Sequence, residues 1–263
     1  MSYQFIRYEY GEGVALITLA RPDVLNSFHR PMALELQRAL FEAGEDAAVR
    51  CLVLTGEGRA FCAGQDLKDS IDDKGRARAP LGDTVRTSYN PVIRAIRNLE
   101  KPVVCLVNGI AAGAGANLAL ACDFVLAGTK ASFVQSFCKI GLVPDSGGSF
   151  FLPRLVGLAR AAQILMLGNK VSAEQAVEYG MIYGVSAQET LMEEGMAFAK
   201  NLATQPTAGL GLIKRALNQS LSNDLEAQLA LEADLQTAAG ETEDFQEGVA
   251  AFLEKRTPTF HGK

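Results

Sequence analysis

Apolar positions fall into two patterns along the chain. "GVALITLARPD" (13–23) alternates small and β-branched apolar residues and stops at Arg-Pro-Asp, which predicts a strand and a turn. "VRCLVLTGEG" (49–58), "KPVVCLVNG" (101–109) and "CDFVLAGT" (122–129) are continuous apolar runs bounded by turn residues. Such runs suit strands of a parallel sheet covered on both faces. Between them the spacing changes. "RPMALELQRALFEAGED" (30–46) places Met32, Leu36, Leu40 and Ala43 near one face, as an amphipathic helix does. Strands alternating with helices predict an α/β core with a largely parallel sheet.

From about Val171 the strand signals fade. "SAEQAVEYGMI", "ETLMEEGMAFAKNLA", "AGLGLIKRALNQSL", "DLEAQLALEADLQTAAG" and "EDFQEGVAAFLEKRTP" all carry helical periodicity, the last ended by Thr-Pro. Residues 68–84, "KDSIDDKGRARAPLGDT", are charged and poor in large apolar residues, and predict a mobile surface loop near a site.

Composition narrows the function. The chain has 263 residues, 48% of them hydrophobic, enough for a substantial core. A net charge of −5 with no basic stripe argues against nucleic acid. No apolar run predicts a bilayer span, and "MSYQFIRYEYGEG" does not read as a signal peptide. Five cysteines without pair spacing, set among apolar neighbours, read as reduced thiols in the cytoplasm. His29 and His261 belong to no ligand spacing, so no catalytic metal is expected. Neither a G-x-S-x-G elbow nor a P-loop occurs. Gly113 and Gly115 begin a G-x-G-x-x-G pattern, but Leu118 stands where its last glycine belongs.

Glycines between strand and helix have another use. They leave backbone N–H groups uncovered, and such groups can hold an anionic oxygen. "NGIAAGAGANLALACD" (108–123) offers one such place, and "GEGRAFCAGQDL" (56–67) a second around Ala63 and Gly64. Converging, they would make an oxyanion hole; otherwise both are tight structural turns. Asp145 in "KIGLVPDSGGSFFLPRL" (139–155) is also open to two readings. Pro-Asp-Ser-Gly is good turn chemistry. Equally, the apolar neighbours Ile140, Leu142, Val143, Phe150, Phe151 and Leu152 could desolvate its carboxyl and raise its pKa into a range useful for proton transfer.

Taken together, "RPDVLNSF", "LTGEGRAFCAGQDL", "KPVVCLVNGIAAGAGANLALACDFVLA", "FVQSFCKIGLVPDSGGSFFLPRLVG" and "GNKVSAEQAVEYGMIYGV" resemble the enoyl-CoA hydratase/isomerase (crotonase) superfamily. The resemblance runs through nearly the whole chain. It implies a ClpP/crotonase-like spiral of ββα units over residues 1–195. Residues 196–263 would form a helical region that trimerises, giving a homotrimer or a dimer of trimers. It implies an acyl-CoA thioester as substrate, with coenzyme A part of that substrate and no separate cofactor. The thioester oxygen would sit between the backbone N–H groups of Ala63 and Ala114, each such donor worth about 3 kcal/mol in the transition state. Leu25, Ser27, Gly64, Gln65, Asp66, Leu67, Gly113 and Phe137 would line the substrate.

The same resemblance implies a departure. Hydratases of the superfamily carry two glutamates, to activate water and deliver a proton. This chain has Asn117 and Phe137 at those places, and Asp145 where hydratases carry a small neutral residue. A single carboxylate suits an isomerase that moves a proton between two carbons. A dehalogenase would use the Asp as a nucleophile beside a Trp, and this chain has no Trp. A Δ3,Δ2-enoyl-CoA isomerase would use the same residues as any related acyl-CoA isomerase. A non-catalytic acyl-CoA-binding subunit would have no need of Asp145. Arg154 and Lys214 could meet CoA phosphates. The terminal "TPTFHGK" could close over CoA from a neighbouring subunit or stay loose.

Overall fold

The computed structural model of the chain describes residues 3–263. Its strands are β1 (Ile6–Gly11), β2 (Val14–Leu19), β3 (Cys51–Gly56), β4 (Ala60–Cys62), β5 (Val103–Val107), β6 (Ile110–Ala112), β7 (Phe124–Gly128), β8 (Ser132–Val134), β9 (Lys170–Ser172) and β10 (Gly184–Ser186). They make two sheets. The larger runs β1-β2-β3-β5-β7-β10 and is parallel except for the β1–β2 hairpin. The smaller runs β4-β6-β8-β9, antiparallel only at β8–β9. In the first sheet β3, β5 and β7 are each followed at once by a short strand of the second. The second sheet's turns therefore all open on one side, where the site forms.

The helices are α1 (Arg30–Glu45), α2 (Leu67–Ser70), α3 (Leu81–Thr84), α4 (Asn90–Asn98), α5 (Ala114–Leu120), α6 (Gly148–Leu167), α7 (Ala173–Glu178), α8 (Leu191–Ala203), α9 (Thr207–Ser220), α10 (Leu225–Gly240) and α11 (Glu243–Glu254). The continuous apolar runs now have a cause. On β3 and β5, Leu52, Leu54, Val103 and Cys105 face a core shared with α1, α4 and the second sheet. Their alternates, Val53, Val104 and Leu106, face α8 through Leu191, Ala199 and Ala203. Both faces are covered, so no polar alternation survives.

Three expectations change. The fading of strand signals after Val171 hid β9 and β10, each three residues long. So short a run carries no period to read, yet β10 completes the edge of the larger sheet. The boundary drawn at 195/196 falls inside α8, which packs on that sheet. Residues 68–84 are also more organised than a plain loop. Ile71 bridges Ala77, and the Asp72 carboxylate accepts the N–H groups of Lys74 and Arg76, each at 2.9 Å.

By length and composition α6 passes for a membrane-crossing helix, contrary to the expectation that none would. Gly157, at φ 76 and ψ 160, breaks it. Each half of about ten residues spans ~15 Å, half of a ~30 Å hydrocarbon layer. Its outer face is nonetheless apolar, with Leu158 80% and Met166 75% exposed. The C-terminal segment folds back on its own chain. Asp244 accepts the N–H groups of His261 (2.6 Å) and Gly262 (2.8 Å), and Arg50 donates to the Phe260 carbonyl.

Candidate active site

Two glycine turns build one wall. Gly64 has φ +93 and Gly113 φ +50, a region that disfavours any side chain. A Cβ on Gly64 would stand 2.9 Å from the Ala112 carbonyl oxygen, so this turn lies directly against the approach to α5. After each glycine comes an N–H, that of Gln65 and that of Ala114, with no acceptor among the described residues. Ala114 begins α5, where the first N–H groups have no partner within the helix.

The expectation for Ala63 needs correction. Its N–H donates to the Leu25 carbonyl at 3.0 Å and is not free. The available donor lies two residues on, at Gln65, because the positive φ of Gly64 turns the chain between them. Leu25–Ser27 do run beside this turn: Phe28 N–H donates to the Gly64 carbonyl and Asp66 N–H to the Phe28 carbonyl, both at 2.7 Å. Asn26, which sequence reasoning passed over, is fully buried and ties the layers together. It donates to the Glu57 and Ala60 carbonyls and accepts from Arg21 N–H. Asp66 holds Arg21 at 2.9 Å and caps α2, so its carboxylate is occupied within the fold. The Gln65 side chain donates to the Ser70 hydroxyl, and Leu67 is 45% exposed.

The opposite wall is the Leu142–Gly148 loop. Both readings of Asp145 hold together. Its backbone makes a turn, its carbonyl accepting Gly148 N–H at 2.9 Å. Its carboxyl is buried enough that desolvation raises its pKa, partly offset by the hydrogen bond that the Ser146 hydroxyl donates to it at 3.0 Å. The expected apolar neighbours contribute unequally: Leu152 is fully buried and Phe151 partly buried. Ile140, Leu142, Val143 and Phe150 are exposed, Val143 to 81%. The loop closes a small cavity lined by Phe28, Tyr89, Val92, Ile93, Ala114, Leu118 and Ser146. Most of these come from α1's approach, α4 and α5, far away in sequence.

Asn117, fully buried on α5, donates to the Asp145 carbonyl at 2.8 Å. Gln135 in turn donates to the Asn117 side-chain oxygen at 2.7 Å. A Cβ on Gly148 would come within 2.3 Å of the Asn117 amide, so the close approach requires glycine there. Phe137 is 8% exposed and packs its ring against the Gly113 turn, 3.5 Å from where a Cβ would be. Asn117 is thus a brace and Phe137 an apolar wall. Ala114 and Ser146 line the same cavity, which brings the free N–H of α5 next to the loop that carries Asp145.

Cys62, Lys214 and Arg154 each have their own surroundings. Burial pushes the Cys62 thiol up to about 12, which suits a packed residue and not a nucleophile. Lys214 is held by Asp123 at 2.7 Å inside the fold, and Arg154 lies over the Phe150 ring. A cavity of about 470 Å³ between α6, α9 and the start of β7 shares no residue with this site.

The enoyl-CoA hydratase/isomerase family model matches residues 9–263. The chain is 51% identical over 261 residues to the 1,2-epoxyphenylacetyl-CoA isomerase of Escherichia coli, covering 99% of each chain. It is 48% identical over its full length, and that of the relative, to a probable enoyl-CoA hydratase of Rhodobacter capsulatus. Among solved structures, a putative enoyl-CoA hydratase/isomerase from Mycobacterium abscessus superposes with a TM-score of 0.91 at 38% identity, covering 98% of this chain and 100% of the other.

Proposed function

The chain belongs to the enoyl-CoA hydratase/isomerase family, and we propose that within it this enzyme isomerises the ring-1,2-epoxide of phenylacetyl-CoA to oxepin-CoA. The observation that carries the reading is a buried carboxyl, Asp145, beside Ser146, which lines the cavity together with Ala114. Asp145 stands there with a raised pKa, while Asn117 and Phe137 replace the pair of acids that hydration requires.

In this reading the thioester oxygen accepts from Gln65 N–H and Ala114 N–H. These donors stabilise the enolate without relying on any side chain. The Asp145 carboxylate takes a proton from the carbon next to the thioester carbonyl, the epoxide-bearing ring bond opens, and the same carboxyl returns the proton to a ring carbon. No atom is gained or lost. A carboxyl with a raised pKa is a stronger base when ionised and still gives its proton back. Asn117 and Gln135 hold the loop so that the carboxyl faces the cavity. Coenzyme A enters as part of the substrate. The buried thiols suit a reducing compartment, the cytoplasm. The apolar face of α6 suits burial against further copies of this chain, as a trimer or a dimer of trimers.

The test is a coupled assay of wild type and Asp145→Asn on enzymatically generated ring-epoxide and, separately, on 3-hexenoyl-CoA. Oxepin-CoA formed by wild type and lost in the variant supports the reading. Turnover of 3-hexenoyl-CoA alone makes the chain a Δ3,Δ2-enoyl-CoA isomerase. Activity that survives the substitution removes Asp145 from the chemistry and leaves an acyl-CoA-binding role.

A further inference from the structure

Tyr89 is a polar residue in an otherwise apolar part of the cavity. It is 3% exposed and meets Phe28 edge to face, ring centroids 5.6 Å apart. Its hydroxyl makes no hydrogen bond to another described residue and is not sealed from solvent, and the side chain lines the cavity that Ala114 and Ser146 also line. Burial, together with the nearby Asp145 charge, raises its pKa, so it remains a neutral donor.

The backbone that presents it is unusual. Val85–Tyr89 is a π-helical turn leading into α4. Such turns break the ordinary helical ladder and recur at functional sites. Here the wide turn is tied from outside: Gln37 donates to the Ser88 carbonyl at 2.9 Å, and Arg30 to the Thr87 hydroxyl at 2.8 Å. These ties fix the rotation of the segment that carries Tyr89.

The other donors around the cavity have assigned partners. The Ser146 hydroxyl donates to Asp145, the Asn117 amide to the Asp145 carbonyl, and the Gln65 and Ala114 N–H groups serve the thioester oxygen in the reading above. Among the side chains that line this cavity, Tyr89 carries the hydroxyl without such a partner. We propose that Tyr89 determines specificity by donating a hydrogen bond to an oxygen carried on the ring of the acyl group, first in the epoxide and then in the oxepin. A plain enoyl chain has no such acceptor. The inference rests on the proposed reaction for its substrate, but its binding test does not need turnover.

The test compares wild type with Tyr89→Phe, which keeps the ring and its packing on Phe28; thermal melts check the fold. Titration calorimetry with 2-hydroxyphenylacetyl-CoA and phenylacetyl-CoA reads donation to a ring oxygen directly. Wild type is expected to favour the oxygenated ligand by roughly tenfold, a preference that collapses in Tyr89→Phe. In turnover, the loss on ring-epoxide is expected to exceed the loss on 3-hexenoyl-CoA by a similar factor. An unchanged ligand preference in the variant, or equal losses on both substrates, would overturn the proposal and make Tyr89 a packing residue. A wild type that converts no ring-epoxide would sink the proposed reaction, and the ligand pair would still decide for or against Tyr89.

Discussion

The two walls of the site are made differently. The Gly64 and Gly113 turns offer main-chain N–H groups, so their chemistry depends on backbone shape and hardly at all on side chains. The Leu142–Gly148 loop offers one side chain, and its shape is held by two others, Asn117 and Gln135. The first wall places donors in a part of the fold fixed by two sheets. The second places the Asp145 carboxyl in a loop fixed by a short relay of amides. The walls meet at Asn117, which stands on α5 behind the Gly113 turn and braces the loop of the other wall.

Substitutions should separate the walls. Asp145→Asn should have the largest effect on rate, lowering kcat by about 10²–10⁴-fold while far-ultraviolet circular dichroism stays unchanged. Gly64→Ala attacks the other wall. It forces a Cβ against the Ala112 carbonyl and strains a positive φ, so about 10²-fold in kcat should go together with ~1–3 kcal/mol of stability. Rates and urea melts on the same preparation would show whether the two losses come together.

Asn117→Ala lies between. It leaves the Gln135 amide without its acceptor and removes one donor from the Asp145 carbonyl. About 1–3 kcal/mol should be lost, visible as a Tm lower by several degrees. The pH profile of kcat should shift as well, since the carboxyl moves with its loop.

The smallest effect is on stability against pH. The Asp145 pKa is raised by folding, so the folded state holds its proton more tightly than the unfolded chain does. This contribution is fully present below the ordinary carboxylate value and is lost as pH rises through the raised one. Asn cannot ionise, so Asp145→Asn should be more stable than wild type at neutral pH, with the difference fading in acid. Paired urea melts across that range would check the sign.

Much of this could be read from the chain, for reasons that differ by region. The strands β3, β5 and β7 are apolar on both faces and announced themselves. The three-residue strands did not, because no period fits in three residues. Gly64, Gly113 and Asp145 stood out by residue type. The donor itself was misplaced by two positions, at Ala63, because sequence shows that a glycine turn exists but not which N–H it leaves free. Asn117 was noted only for the glutamate it replaces. Its role as a brace depends on Gln135 and Gly148 meeting it in space. Tyr89 carried no signal at all: a tyrosine beside a charged loop looks like surface until the π-helical turn brings it inside.

The central claim is that one carboxylate and two main-chain donors isomerise without adding water. The most direct test separates the wild-type products of ring-epoxide and of 3-hexenoyl-CoA by chromatography and reads the ultraviolet absorbance and mass of each, since an isomer keeps the mass of its substrate. A product of unchanged mass, formed by wild type and not by Asp145→Asn, is the predicted result. A 3-hydroxyacyl-CoA, heavier by one water, would contradict it.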